Sequence, residues 1–143
     1  MIKWDKKTFI KHLRETSSRE VAKIGVRLIE FSEKYSDDIS WGRGEEHGTM
    51  TFRCESDFGY LPLFHLSSYG KINLQINFLR SKDIPPMVLR DLIRKLEAIF
   101  LYDFDTEMYP VDTYEEIEAM FHTRTQVDKF MKTIESAAYR LKQ

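Results

Sequence analysis

Residues 49–79, TMTFRCESDFGYLPLFHLSSYGKINLQINFL, decide the fold. Runs rich in Thr, Phe, Leu and Ile are separated by Asp57-Phe58-Gly59 and Ser68-Tyr69-Gly70, short glycine-containing segments of the kind that turn hairpins. The pattern predicts strands over Thr49 to Glu55, Tyr60 to Leu66 and Lys71 to Leu79. Connections this short impose antiparallel pairing. In the third strand Ile72, Leu74, Ile76 and Phe78 alternate with Lys71, Asn73, Gln75 and Asn77, so one face is buried and the other carries a row of amides. The second strand, Leu61-Pro62-Leu63-Phe64-His65-Leu66, is apolar on both faces, as expected of a central strand covered on both sides. Its Pro62 lies near the start, where a missing donor is tolerated.

Upstream, Asp5 is placed to cap a helix carrying Phe9 and Leu13, and Thr16-Ser17-Ser18 interrupts it. Ser17 with Glu20 forms a capping box for a second helix, whose stripe is Val21, Ile24, Leu28, Phe31 and Tyr35 and whose end falls near Ser36. From Ser40 to Thr49, Gly42, Gly44 and Gly48 argue for a loop with unusual backbone angles. Downstream, Asp83 caps a helix opened by Pro85-Pro86, with Leu89, Leu92, Ile93, Leu96, Ile99 and Phe100 on one face. After an acidic loop through Pro110, Thr113 with Glu116 caps a short helix ending at Phe121. Thr123 or Thr125 then begins the last helix, striped by Val127, Phe130, Met131, Ile134, Ala138 and Leu141. The reading is one α+β domain over residues 1–143, a three-stranded antiparallel meander flanked by N-terminal and C-terminal helices.

Composition narrows the function classes. With 22 Lys and Arg against 23 Asp and Glu, the net charge of -1 gives no overall attraction to phosphate backbones or anionic lipid, so contact with nucleic acid requires a local patch. Arg43, Arg53, Lys71, Arg80 and Lys82 are the basic residues around the expected sheet. The single cysteine, Cys54, cannot close an internal disulfide. No secretory pattern opens the chain and no apolar stretch approaches the ~20 residues that cross a bilayer, so a cytoplasmic protein with no membrane association is expected.

No catalytic constellation assembles from spacing alone. The loop Trp41-Gly42-Arg43-Gly44-Glu45-Glu46-His47-Gly48 can bring backbone donors and Arg43 to an anion, yet it lacks both phosphate-loop and dinucleotide glycine spacings. Its bland reading is a structural loop anchored by an inward Trp41. Glu45, Glu46 and His47 lack metal-ligand spacing. Asp103, Asp105 and Glu107 copy the start of a calcium loop, but Met108 and Tyr114 stand where glycine and glutamate are required. Neither a metal nor any other cofactor is expected. Ser67 and Ser68 lack a nucleophile elbow. His65 is read either as a satisfied strand histidine or as a binding residue, and Asn73, Gln75 and Asn77 either as a solvated face or as hydrogen-bonding groups for a ligand. The candidate binding residues are thus Trp41, Arg43, His47, Arg53, His65, Asn73, Gln75 and Asn77.

Trp41-Gly-x-Gly-x-x-x-Gly-Thr49, then Leu63-Phe64, Ser68-x-Gly70-x-Ile72, a helix and Tyr109-Pro110, resembles an uncharacterised prokaryotic α+β domain family. Members look like companions of restriction or nuclease-like modules; the resemblance implies a fold and a neighbourhood and carries over no catalytic residue. The helix-strand-strand-strand-helix order from Ser18 to Tyr102 also resembles a double-stranded-RNA-binding domain in outline. The lysine cluster that family places at the start of its last helix is replaced here by Ile84-Pro85-Pro86-Met87-Val88. The expectation is a non-catalytic binding or accessory domain acting through a protein or nucleic-acid partner. The alternative is a small enzyme with its site between the glycine-rich loop and the sheet.

Overall fold

A computed structural model of the chain describes residues 2–101 and 114–143, apart from the side chains of Ile2 and Arg43. In chain order the elements are β1 (Ile2–Lys3), α1 (Lys6–Thr16), α2 (Arg19–Tyr35), β2 (Asp38–Trp41), β3 (Arg43–Gly44), β4 (Thr49–Ser56), β5 (Gly59–Ser67), β6 (Lys71–Leu74), α3 (Ile76–Arg80), α4 (Pro86–Phe100), β7 (Tyr114–Glu116), α5 (Ile117–Met120) and α6 (Arg124–Leu141). The class is α+β. The acidic loop through Pro110, with Asp103, Asp105, Glu107 and Thr113, lies outside the described residues.

The expected meander forms the middle of a larger sheet. Five antiparallel strands stand in the order β2-β4-β5-β6-β7, and β1 pairs with β3 in a separate two-stranded ribbon. The three-stranded expectation is therefore corrected at both edges. On one side β2 pairs along β4, Asp38 opposite Arg53 through Trp41 opposite Met50, where a loop was expected from Ser40. Its glycines misled because neither Gly42 nor Gly44 nor Gly48 takes a positive φ. Gly48 is required for space instead: a Cβ there would sit 2.7 Å from the Trp4 ring and 3.1 Å from Phe9. On the other side β7 pairs with β6, Lys71 opposite Glu116 and Asn73 opposite Tyr114.

The third strand is also shorter than its alternation implies. It ends at Leu74, and Gln75 becomes the N-cap of α3. Continuing the register that sets Phe64 opposite Leu74 would put Ile76 opposite Pro62, which has no N–H to offer a ladder. Ile76 and Leu79, three apart, are both buried by turning into a helix. One bulge interrupts β4 and β5: Phe52 faces Phe64 and Arg53 faces Pro62, leaving Leu63 as the extra residue. The Leu63 carbonyl accepts from the Gln75 amide at 3.2 Å, so the bulge leaves it paired.

Caps follow side-chain chemistry with three displacements, one of which puts Glu116, expected inside the first turn of α5, at its N-cap. Asp5 with Thr8 and Thr123 with Gln126 form reciprocal capping boxes for α1 and α6. Ser18, one residue later than expected, caps α2 by accepting from the Val21 amide. Pro85 rather than Asp83 holds the cap position of α4.

Met50, Phe52, Cys54, Phe64, Leu66 and Ile72 form the core face of the sheet, and α2 and α6 lie across it. Phe31 stacks on Phe52 with ring centroids 5.6 Å apart, Phe52 on Phe64 at 5.3 Å, and Phe64 meets Phe130 edge-on at 5.4 Å. The helices α2 and α6 run parallel, since Arg27 at the middle of α2 bonds Asp128 near the start of α6, and Lys142 bonds Asp37 beyond both their ends. Helix α4 is antiparallel to α6: Arg140 reaches Asp91 at 2.6 Å, and the Gln126 side chain donates to the Ile99 carbonyl at 3.1 Å. Among the described residues no helix is long and apolar enough to cross a membrane.

Candidate functional site

The sheet's second face is polar, and strict register builds it. Ser40, Thr51, His65, Asn73 and Tyr114 stand opposite one another across the five strands. Thr51 Oγ1 and His65 Nδ1 are 2.7 Å apart, and the Gln75 side-chain amide donates to Asn73 Oδ1 at 2.9 Å. Arg53, one pair along, donates to Ser40 Oγ and lies 3.7 Å from the Asp38 carboxylate. Four of the sequence candidates, Arg53, His65, Asn73 and Gln75, thus share one face of the sheet, on which Asn73 is buried and the other three are half-buried. The expected amide row does not extend further, because Asn77 stands in α3 and accepts from Arg80 at 3.0 Å.

The glycine-rich segment supplies a different cluster. Trp41 is half-buried, its ring 5.5 Å from that of Phe9. His47 lies against Tyr69, Tyr69 against His12 and His12 against Trp4, with centroids 5.1, 5.2 and 5.4 Å apart. The Trp4 indole N–H donates to the Gly44 carbonyl at 2.9 Å, which ties α1's approach to β3. His47 and His65 therefore belong to separate clusters. The backbone of Arg43 pairs with Lys3; its side chain is outside the described part.

Two residues with nucleophilic side chains are built into structure. Ser68 Oγ accepts from the Gly48 amide at 2.8 Å and lies 2.6 Å from His12 Nδ1. Ser68 is fully buried, and its carbonyl accepts from Thr16 Oγ1, so this serine and histidine clamp α1 to the turn between β5 and β6. Cys54 is also fully buried, and burial, with the Asp37 carboxylate adding, pushes its thiol from an ordinary 9.0 up to about 12. The folded state keeps this proton at pH values where the unfolded chain has lost it. The contribution is intact below the ordinary thiol value and is lost as pH rises through the window from 9.0 to about 12. Chemical denaturation across that window is expected to show the wild-type unfolding free energy falling more steeply than that of Cys54→Ala, by about 1.4 kcal/mol per pH unit. Equal slopes in the two proteins would show a thiol that titrates normally. Among the described residues no three His, Cys, Asp or Glu side chains converge as a metal site requires.

The feature that the sequence reading missed lies on the helical side. A groove of about 970 Å³ runs between α2 and the segment from Phe121 into α6. Arg14, Arg19, Lys23, Arg27 and Arg124 line it, with Glu20 as the acidic lining residue. Arg19, Lys23 and Arg27 recur every four residues, so they form one stripe along α2 that rises roughly 12 Å. Arg27 is bonded to Asp128 at 2.5 Å. Among the described residues no carboxylate lies within 4.0 Å of Arg14, Arg19, Lys23 or Arg124. The floor is apolar: Ala22, Phe121 and Val127 are buried, and Ile24 and Val26 are half-exposed. The repeat of cations at intervals of four was visible in the sequence, but nothing there placed Arg14 and Arg124 beside it.

The basic patch expected at the sheet is weaker than its count suggests. Arg53 faces Asp38, Lys71 lies 3.8 Å from Glu116, and the Lys82 ammonium sits 4.9 Å from the centre of the Phe78 ring. Compared with family models, with curated proteins and with solved structures, the chain finds no match.

Proposed function

We propose that the chain is a non-catalytic binding or accessory domain that acts through a negatively charged macromolecular partner held in the groove between α2 and α6. The observation that carries this reading is the concentration of Arg14, Arg19, Lys23 and Arg124 around an apolar floor in a chain whose net charge is only -1. Like charges gathered on one concave surface cost self-repulsion and raise the local concentration of anions. The buried states of Ser68 and Cys54 favour binding over the alternative, a small enzyme between the glycine-rich loop and the sheet, because neither presents a usable nucleophile. A role beside a restriction or nuclease-like module is compatible with such a domain.

Titration with polyglutamate, heparin and a duplex oligonucleotide at low salt tests this reading. At least one polyanion is expected to bind, with affinity falling as salt rises, and the combined Arg19→Ala, Lys23→Ala and Arg124→Ala variant is expected to lose most of it. The Arg43→Ala with Arg80→Ala variant interrogates the sheet patch in the same assay. Binding that survives the triple variant and vanishes in the double variant would move the site to the sheet.

A further inference from the structure

Resting on that reading of the groove, we propose that its occupant is an acidic, amphipathic α-helix from a partner protein. Three features select a helix of this character. The cations of α2 are spaced every four residues, and a helix lying alongside presents carboxylates at the same interval. On one flank of the cation stripe lies apolar surface from Ile24, with Phe121 and Val127 lining the same groove, which a helix can cover with one hydrophobic stripe and which the sugar-phosphate edge of a nucleic acid would leave unmatched. The groove is also longer than its first segment. Beyond the Arg27–Asp128 bridge it continues along the same two helices as a hollow of about 610 Å³ lined by Phe31, Lys34, Tyr35, Met131 and Lys132.

The parallel run of α2 and α6 gives this surface its shape, since two parallel cylinders leave a straight furrow for a third. Lys34 and Lys132 extend positive charge to its far end, where Glu30 and Glu135 also stand. The strongest attraction is therefore at the Arg19 end. A peptide is expected to place its acidic residues there and its apolar stripe on Ile24.

The test uses the full chain and three fluorescein-labelled probes read by anisotropy. The first is a helix-forming peptide with glutamates every four residues beside a leucine stripe; the second has the same composition in scrambled order; the third is a duplex oligonucleotide. The patterned peptide is expected to bind about tenfold or more tightly than its scramble. Arg19→Glu with Lys23→Glu is expected to weaken it by a further factor of about ten. These side chains are exposed, so the variant is expected to fold, which circular dichroism and the thermal midpoint check; Arg124→Glu is a second variant on the opposite wall. Equal binding of patterned and scrambled peptides would overturn the inference in favour of charge alone. Tighter, variant-sensitive binding of the oligonucleotide would overturn the peptide occupant while leaving the groove reading standing. Insensitivity of all three probes to both variants would remove the groove reading itself.

Discussion

Phe64→Ala is expected to lower the unfolding free energy by about 3–5 kcal/mol, read as a fall in denaturant midpoint at unchanged slope. Phe64 is fully buried on the central strand and touches the rings of both Phe52 and Phe130. Removing the ring takes away apolar burial and leaves a cavity that the flanking sheet cannot close, because β4 and β6 fix β5 on either side. Phe64→Leu keeps most of the volume and is expected to cost about 1–2 kcal/mol. A loss below about 1 kcal/mol for the alanine variant would mean that the sheet and helices do not share this core.

Gly70→Ala is expected to cost about 2–4 kcal/mol, through backbone strain and overpacking together. Gly70 closes the turn between β5 and β6 at φ 79, and its carbonyl accepts from the Ile117 amide at 3.0 Å. A Cβ there would lie 2.7 Å from Ser17 Oγ and 2.9 Å from Val21 Cγ1. Ser17 is informative in its own right, since its buried hydroxyl has no hydrogen-bond partner among the described residues. Ser17→Ala is expected to be neutral or mildly stabilising, and in combination with Gly70→Ala to recover about 0.5–1 kcal/mol of the loss. Strict additivity of the two substitutions in thermal and chemical unfolding would show that the turn does not press on the start of α2.

Local chemistry made much of this fold legible. Short turns at Asp57-Phe58-Gly59 and Ser68-Tyr69-Gly70 fixed the two central hairpins, and both turns end on a glycine of positive φ. The i, i+3 and i, i+4 apolar stripes located α2, α4 and α6, since a helix that buries one face must repeat at that interval. The edges were illegible for physical reasons: both strands have few residues, β7 owes its pairing to β6 far away in the sequence, and β2 pairs with the nearby β4 across a segment whose glycines suggest a loop. Residues 71–79 failed differently. Their alternation suits a strand, but Ile76 and Leu79 also suit one helical turn, and a constraint on the neighbouring strand, Pro62, selects between them. His65 stood out as a polar residue inside an apolar strand and Arg53 as a basic residue beside the sheet, and strand pairing places both on the polar face of the sheet. The groove was not found because surface cations are common in any sequence, and only tertiary structure shows which of them share a concavity.

The aromatic column through the core has a consequence for how the chain is made. Phe31, Phe52, Phe64 and Phe130 come from α2, β4, β5 and α6, so the last member is synthesised long after the first three. A nascent chain that has emerged only through α5 holds a paired hairpin whose apolar side lacks the helix that covers it. Such a species is expected to expose the apolar face of the sheet, the kind of surface that aggregates or recruits chaperones during translation. Docking of α6 completes the column, and because it relies on long-range rather than local contacts it is expected to come late and to set how long the chain remains vulnerable.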